Sequence, residues 1–191
     1  MARATVLLSG ATARTERAYN RAMPVRIRPA VLADASDIAR VQVESWRWAY
    51  PGLLPQSYLD ALSVERRARS WAELLGATGT RTVIWVASDE DGCCGLVHAG
   101  PVRSESTTIG EVYSLYVSVR VLSTGVGHLL LAYTTAQLKA MLYGTAVLWV
   151  LEQNVRARRF YEREGWSLVG VPRQEAIART TVSVVRYRRA L

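Results

Sequence analysis

Lysine is almost absent from this sequence. Lys139 is the only one, yet the formal charge is +8, so arginine carries nearly all of the positive charge. Such a bias has a plain origin in the codon usage of a GC-rich genome, and a sharper one in an acidic ligand such as a phosphorylated cofactor or nucleic acid. No long basic run with interleaved aromatics is present, which places nucleic acid well behind. The two cysteines, Cys93 and Cys94, are adjacent, a poor geometry for a disulfide. With neither a Cys-x-x-Cys nor a His-Glu-x-x-His pattern, no metal site is expected, and a reducing cytoplasm is the default compartment. No apolar run approaches the length of a membrane span, so no membrane partner is expected. What remains is a chain of 191 residues, half of them hydrophobic, which suits one domain of ordinary size with a substantial core.

The most informative stretch runs from Gly110 to Gly144. Val112, Ser114 and Tyr116 alternate with Tyr113, Leu115 and Val117, which is strand periodicity. From His128 to Tyr143, residues Leu130, Leu131, Thr134, Leu138, Met141 and Leu142 fall at helical spacing, and Gly144 is a stop. A second apolar run, Thr145 to Leu151, follows at once. The pattern is a βαβ unit with a right-handed crossover. Between strand and helix lies Leu122-Ser123-Thr124-Gly125-Val126-Gly127. Two readings of this Gly-x-Gly stand: a tight strand-to-helix turn, or a backbone cradle whose free N–H groups and helix dipole hold an anion, most simply a pyrophosphate. It is not a Walker loop, because no Gly-Lys-Ser/Thr follows, and it lacks the full Gly-x-Gly-x-x-Gly dinucleotide fingerprint.

The rest of the chain follows in order. Residues 1–22 hold several arginines, one acidic residue and a short apolar run, Ala4 to Leu8. They read as a disordered extension or an upstream part of the reading frame, with Met23 as an alternative start, because a targeting segment needs a longer apolar region and a cleavage site. Val25 to Arg28 is the first strand. Asp34, with Asp37 three residues on, is expected to cap a helix from Ala35 to about Trp46. The aromatic group Trp46, Trp48 and Tyr50 ends at Pro51-Gly52, and is read equally as core packing or as a pocket wall. Ser63 caps a helix to Leu75. Arg81 to Ser88 and Cys93 to Ala99 form a hairpin around Asp89-Glu90-Asp91-Gly92. Further strands are Ile109–Val117, Thr145–Leu151, Trp166–Val169 and Thr180–Tyr187. Asn154 caps a short helix that ends at Gly165.

Three groups of residues together carry a resemblance. The loop Leu122 to Gly127 fits a Q/R-x-x-G-x-G/A motif at both glycines. The strand Glu111 to Val117 precedes it at the right spacing. Asn154, Ala157, Phe160-Tyr161 and Gly165-Trp166 fit an N-x-x-A-x-x-F-Y-x-x-x-G-F signature. In these features, and in the opening from Val25 to Tyr50, residues 23–191 resemble the GNAT superfamily of acetyl-CoA-dependent N-acetyltransferases. The resemblance implies a single domain of mixed α/β class. Its centre is a twisted, mostly antiparallel seven-stranded sheet with a parallel, splayed pair of fourth and fifth strands, flanked by helices. It also implies acetyl-CoA as cosubstrate and no metal. The acceptor would be a small-molecule or peptide amine, and a homodimer stays open. Leu122 departs from the family's usual Gln or Arg, and Ser123-Thr124 from its usual Gly with Arg or Lys. The resemblance implies backbone capture of the phosphates, so the loss of side-chain charge should weaken cofactor binding and not abolish it, with the two hydroxyls replacing part of the contact.

Acetyl transfer from a thioester to an amine needs a neutral amine, a polarised carbonyl and a stabilised leaving thiolate. The resemblance places Tyr161 as general acid to the sulfur and Glu111 as the base, the latter otherwise a solvated strand-end charge. It places the cofactor against Leu115, Tyr116 and Val117, with the carbonyl at the Val117 N–H, against Leu122, Ser123, Thr124, Gly125, Val126 and Gly127, and against Asn154 and Tyr161. Glu44, Trp46, Trp48 and Tyr50 are the expected acceptor pocket, with Glu44 as a second candidate base. His98 and His128 are read as structural. Two other classes of function compete: a catalytically weak acetyl-CoA-binding regulatory domain, motivated by Leu122, and a nucleic-acid binder, motivated by the charge. Calorimetry with acetyl-CoA and turnover with an amine panel separate the three.

Overall fold

The computed structural model describes residues 25–79, 81–103, 108–177 and 179–191. The extension expected over residues 1–22, with its alternative start at Met23, lies outside them. The strands are β1 Arg26–Pro29, β2 Val83–Asp89, β3 Gly92–Pro101, β4 Ile109–Val117, β5 Thr145–Leu151, β6 Ser167–Ile177 and β7 Thr180–Ala190. The helices are α1 Ala35–Ala49, α2 Gln56–Asp60, α3 Val64–Gly76, α4 Val126–Ala140 and α5 Val155–Arg163. The strands form one seven-stranded sheet in the order β1-β2-β3-β4-β5-β7-β6. Every neighbouring pair is antiparallel except β4 and β5, which are parallel.

Strand alternation sends the two halves of the apolar set to opposite faces. On one face Val97, Ala99, Val112, Leu148 and Tyr187 pack with Val126, Leu130, Leu131 and Leu138 of α4. On the other, Val86 and Leu96 pack under Ile38, Ala39 and Val41 of α1 and Trp71 of α3. Beside them Leu151, Val182 and Val184 meet Val43, Leu54 and Leu59 from α1 and the segment after it. The sheet is therefore covered on both sides, with α1 and α3 on one and α4 on the other.

Three local expectations are corrected. Asp34 does not cap α1 through its side chain. Its carboxylate instead accepts from the Arg28 guanidinium at 2.6 and 2.7 Å and from the Val31 N–H at 2.8 Å. An Arg-held carboxylate is worth more here than a capped amide, because the charge-assisted pair ties β1 to the turn that launches α1. Leu142 is not on the packed face of α4: the helix stops at Ala140, and Leu142 has φ 67° and is 88% exposed. The last strand but one does not end at Val169. It runs on to Ile177 through a register shift between Val169 and Arg173. Pro172 sits in that irregular stretch of an edge strand, where no ladder hydrogen bond is lost. Ser63 does cap α3, accepting from the Arg66 N–H at 3.1 Å.

The feature that positions the site is a split in the sheet. β4 and β5 are in register only over Ile109–Val112 and Thr145–Leu148. β3 shifts register against β4 between His98 and Ala99, so Tyr113 is an extra residue in β4. Such a bulge bends its strand. Beyond it β4 stays with β3, while β5 stays with β7 to Leu151, and the two strands part.

His98 is packed edge-on between Trp71 at 5.9 Å and Tyr113 at 4.7 Å. Burial, helped by the charge of Arg103, lowers its pKa to about 4. An unfolded histidine titrates near 6.5, so as pH falls from about 6.5 to about 4 the unfolded chain takes a proton that the folded one refuses. This histidine thus supports folding fully above that window and less as pH falls through it, by at most about 1.4 kcal/mol per pH unit. His98→Phe keeps a ring between its neighbours. Thermal melts from pH 7 to pH 4.5 should show a shallower fall of Tm for His98→Phe than for wild type. Parallel curves would assign the acid sensitivity elsewhere.

Candidate active site

The parted strands open into a cavity of about 1220 Å³ that passes from one face of the sheet to the other. Its walls come from the end of α1, from β4 beyond the bulge, from the loop before α4, from β5 and from α5.

The loop end leads into the N-terminus of α4. Gly125 has φ 98°, in the left-handed region, and is the residue that turns the chain into α4. The first bond of the helix ladder is from the Leu129 N–H to the Gly125 carbonyl at 3.0 Å. The N–H groups of Val126, Gly127 and His128 precede it and project from the positive end of the helix. The N–H groups of Leu122 and Thr124 instead bond inside the turn, to Val119 and Val121 carbonyls at 3.3 and 3.4 Å. The Thr124 hydroxyl also donates inward, to Val121 O at 2.7 Å. Ser123 has φ 64°, and its hydroxyl accepts from Arg156 Nη2 at 3.1 Å. Arg156 lies over Trp48 as well, 4.9 Å from the ring centroid. One arginine from the start of α5 therefore links the loop to the end of α1.

At the centre of the split, backbone polarity is available. The Ser118 N–H donates to Cys94 O at 2.9 Å, toward β3. Alternation then turns the Val117 N–H the other way, into the gap that β5 has left. The Val117 carbonyl accepts from Ser45 Oγ at 3.0 Å, which fixes α1 to this point. Three phenols converge here: Tyr50 from the end of α1, Tyr116 from β4 and Tyr161 from α5. Burial pushes all three pKa values up, and for Tyr50 and Tyr161 the neighbouring phenols add to it. Tyr161 packs against Phe160, Trp166 and Tyr187 at 5.2, 6.2 and 6.3 Å between ring centroids. Its hydroxyl has no hydrogen-bond partner among the described residues, and its ring lines the cavity. Asn154 caps α5, its side-chain oxygen accepting from the Ala157 N–H at 3.1 Å.

Leu115, Tyr116, Val117, Leu122, Ser123, Gly125, Gly127, Asn154 and Tyr161 all line this one cavity, together with Trp46, Trp48 and Tyr50. Four other expected residues do not. Val126 is fully buried beneath the loop. Thr124 bonds back into its turn. Glu44 faces outward on α1, with its carboxylate accepting from the Val119 N–H at 3.2 Å and the Ser118 hydroxyl at 3.4 Å. Glu111 has a side chain only 3% exposed, held by the Arg103 guanidinium and by the Arg103 N–H at 3.2 Å. Of that pair it is Arg103, not Glu111, that reaches the cavity wall. His128 pairs with Glu164 at 2.7 Å, at the junction of α4 and α5. The sequence reading missed Ser45, Trp149 and Arg156. Arg156 had a legible signal, a cation two residues after the capping Asn154. Trp149 and Ser45 had none, since their role depends on where the sheet divides.

The family model described as "Acetyltransferase (GNAT) domain" matches residues 80–168. The chain is 34% identical over 132 residues to the uncharacterized N-acetyltransferase YuaI of Bacillus subtilis, covering 68% of this chain and 73% of that one. It is 26% identical over 148 residues to the probable N-acetyltransferase Rv2775 of Mycobacterium tuberculosis, covering 76% and 82%. Among solved structures, the fold is similar to PaiA N-acetyltransferase of Thermoplasma acidophilum in complex with coenzyme A, with TM-score 0.66, 18% identity and 86% and 98% coverage. It is also similar to YncA, a putative acetyltransferase of Salmonella typhimurium with its cofactor acetyl-CoA, with TM-score 0.64, 18% identity and 87% and 93% coverage. The chain belongs to the GNAT family of acetyltransferases. Among the described residues, no helix is long and apolar enough to cross a membrane.

Proposed function

We propose that residues 23–191 are an N-acetyltransferase that moves the acetyl group of acetyl-CoA to a primary amine by direct attack, both substrates being bound together. The observation that carries this reading is the split between β4 and β5, with a helix-end anion cradle at one end and an aromatic-walled chamber at the other. A pyrophosphate suits the cradle, where the N–H groups of Val126, Gly127 and His128 and the helix dipole converge. The pantetheine arm suits the gap, where strand-edge polar groups lack a partner strand. The Val117 N–H then polarises the thioester carbonyl, and Tyr161 gives its proton to the departing sulfur. A buried phenol with a raised pKa holds that proton until negative charge develops beside it. Glu111, as the proposed base, is held by Arg103, so it works on the amine only through a relay or after Arg103 moves. Neither Cys93 nor Cys94 suits a covalent intermediate, since burial raises their pKa to about 11 and about 12 and keeps them protonated.

Leu122 favours a second reading, a domain that binds acetyl-CoA without efficient turnover. Arg156 speaks against a loss of affinity, because it brings a cation to Ser123 in the loop that itself has none. Arg156→Ala should raise the acetyl-CoA dissociation constant roughly tenfold, the scale of one charge-assisted hydrogen bond. Titration calorimetry measures it, and an unchanged constant would free Arg156 from that role. Turnover of acetyl-CoA with an amine panel, read as free thiol released, tests the reading as a whole. Binding without turnover of any amine would favour the regulatory domain.

A further inference from the structure

We infer that the acceptor is an amine carried on a flat apolar or aromatic body with a single positive charge, not a polyamine, an aminoglycoside or a lysine-rich peptide. The inference rests on the acetyltransferase reading above. On the α1 side of the split, the chamber is walled by Trp46, Tyr50, Leu54, Tyr113, Trp149 and Ile177. Trp46 and Tyr50 meet edge to face at 5.2 Å, which leaves a fixed slot and not a mobile surface. Polycations need free carboxylates, and among the described residues each carboxylate on the cavity wall already has a partner within the protein. Glu175 is paired with Arg173. Glu164 is held by His128 at 2.7 Å. Glu162 accepts from the Tyr187 hydroxyl at 2.6 Å. Glu111, behind the wall, is taken by Arg103.

The cations nearby push the same way. Arg103 lies 5.2 Å from the Tyr113 ring centroid and Arg173 4.1 Å from that of Trp149. Each of these guanidinium groups is paired with a carboxylate, Arg103 with Glu111 and Arg173 with Glu175, so they offer an ammonium ion no partner, while burial among the ring walls favours the neutral amine, the form that attacks a carbonyl. One amine loses one proton to enter. A polyamine keeps further charges, and every described carboxylate of the wall is already hydrogen-bonded within the protein. The amine therefore gains its binding energy from ring contact, and Trp149, at the point where β5 leaves β4, is the residue on which that contact depends.

The test is a set of acetyl-CoA turnover assays with tryptamine and phenethylamine against spermidine, kanamycin and a lysine-rich peptide. The aromatic amines should have kcat/KM roughly tenfold or more above the polycations, the scale of one lost aromatic contact. Trp149→Ala should raise KM for tryptamine with the acetyl-CoA dissociation constant unchanged. Trp149→Phe, which keeps a ring and guards against a folding defect, should restore most of it. Preference for spermidine, kanamycin or the peptide would overturn the inference and leave the acetyltransferase reading intact. Failure to acetylate any amine, with acetyl-CoA bound, would overturn both.

Discussion

Tyr161→Phe should turn over at roughly one hundredth of the wild-type rate or less, the scale of general acid catalysis, with acetyl-CoA affinity nearly unchanged. The substitution removes one oxygen. The ring contacts with Phe160, Trp166 and Tyr187 survive, so the packing of α5 against the sheet survives with them. No described protein group loses a hydrogen bond, because the hydroxyl makes none. What is lost is a proton donor at the cavity wall. Its raised pKa keeps it protonated at neutral pH, and its contact with sulfur strengthens only as the thiolate forms. Rate should therefore fall without affinity. Steady-state kinetics beside calorimetry decide the matter. An unchanged rate makes Tyr161 a packing residue, and an equal loss of rate and affinity makes it a cofactor contact.

The second large effect is expected at the loop. Replacing both Gly125 and Gly127 with valine should weaken acetyl-CoA binding by roughly 10²-fold, equivalent to losing two charge-assisted hydrogen bonds. The two positions act differently. Gly125 holds φ 98°, which a β-branched residue cannot adopt without strain, so valine there re-aims the N–H groups that follow it. Gly127 has an ordinary backbone, and an added Cβ meets Phe160 at 3.4 Å, a normal contact. Gly127→Ala alone should thus be tolerated, and only a larger side chain should fill the cradle. Circular dichroism establishes that the double variant is folded, and calorimetry then reads its affinity. Wild-type affinity in a folded double variant would place the phosphates elsewhere.

The order of elements was legible because each announces itself locally. Alternation marks a strand from Val112 to Val117, although the bulge at Tyr113 moves Val112 to the face of Leu115 and Val117 and away from Tyr116, with which alternation had grouped it; helical spacing marks Leu130 to Leu138, and Ser63 and Asn154 cap where small polar side chains usually do. The parallel pair was legible as a βαβ unit, whereas its splay came from the family resemblance, since periodicity does not announce a bulge at Tyr113. The candidate cavity was legible in part: Gly125, Gly127, Asn154 and Tyr161, which sequence motifs singled out, line it. It was less legible for carboxylates. A sequence shows that Glu44 and Glu111 exist, but not that the turn after β4 and Arg103 occupy them. Asp34 shows the same limit: a residue with two suitors, an amide and a guanidinium, went to the charged one.

The short parallel seam between β4 and β5 has a mechanical meaning. Four registered residues on each strand join two antiparallel sheets, β1 to β4 and β5 with β7 and β6, into one. Beyond the seam each edge carries backbone groups with no partner strand, and water must serve them. An extended amide-bearing molecule lying in that gap would act as the missing strand and fasten the two halves from within. Folding and loading would then be linked, since any ligand that binds only the closed sheet stabilises it, by about 2.7 kcal/mol at a hundred times its dissociation constant. A cell's supply of the acyl carrier would thus govern how rigid this protein is as well as how fast it works.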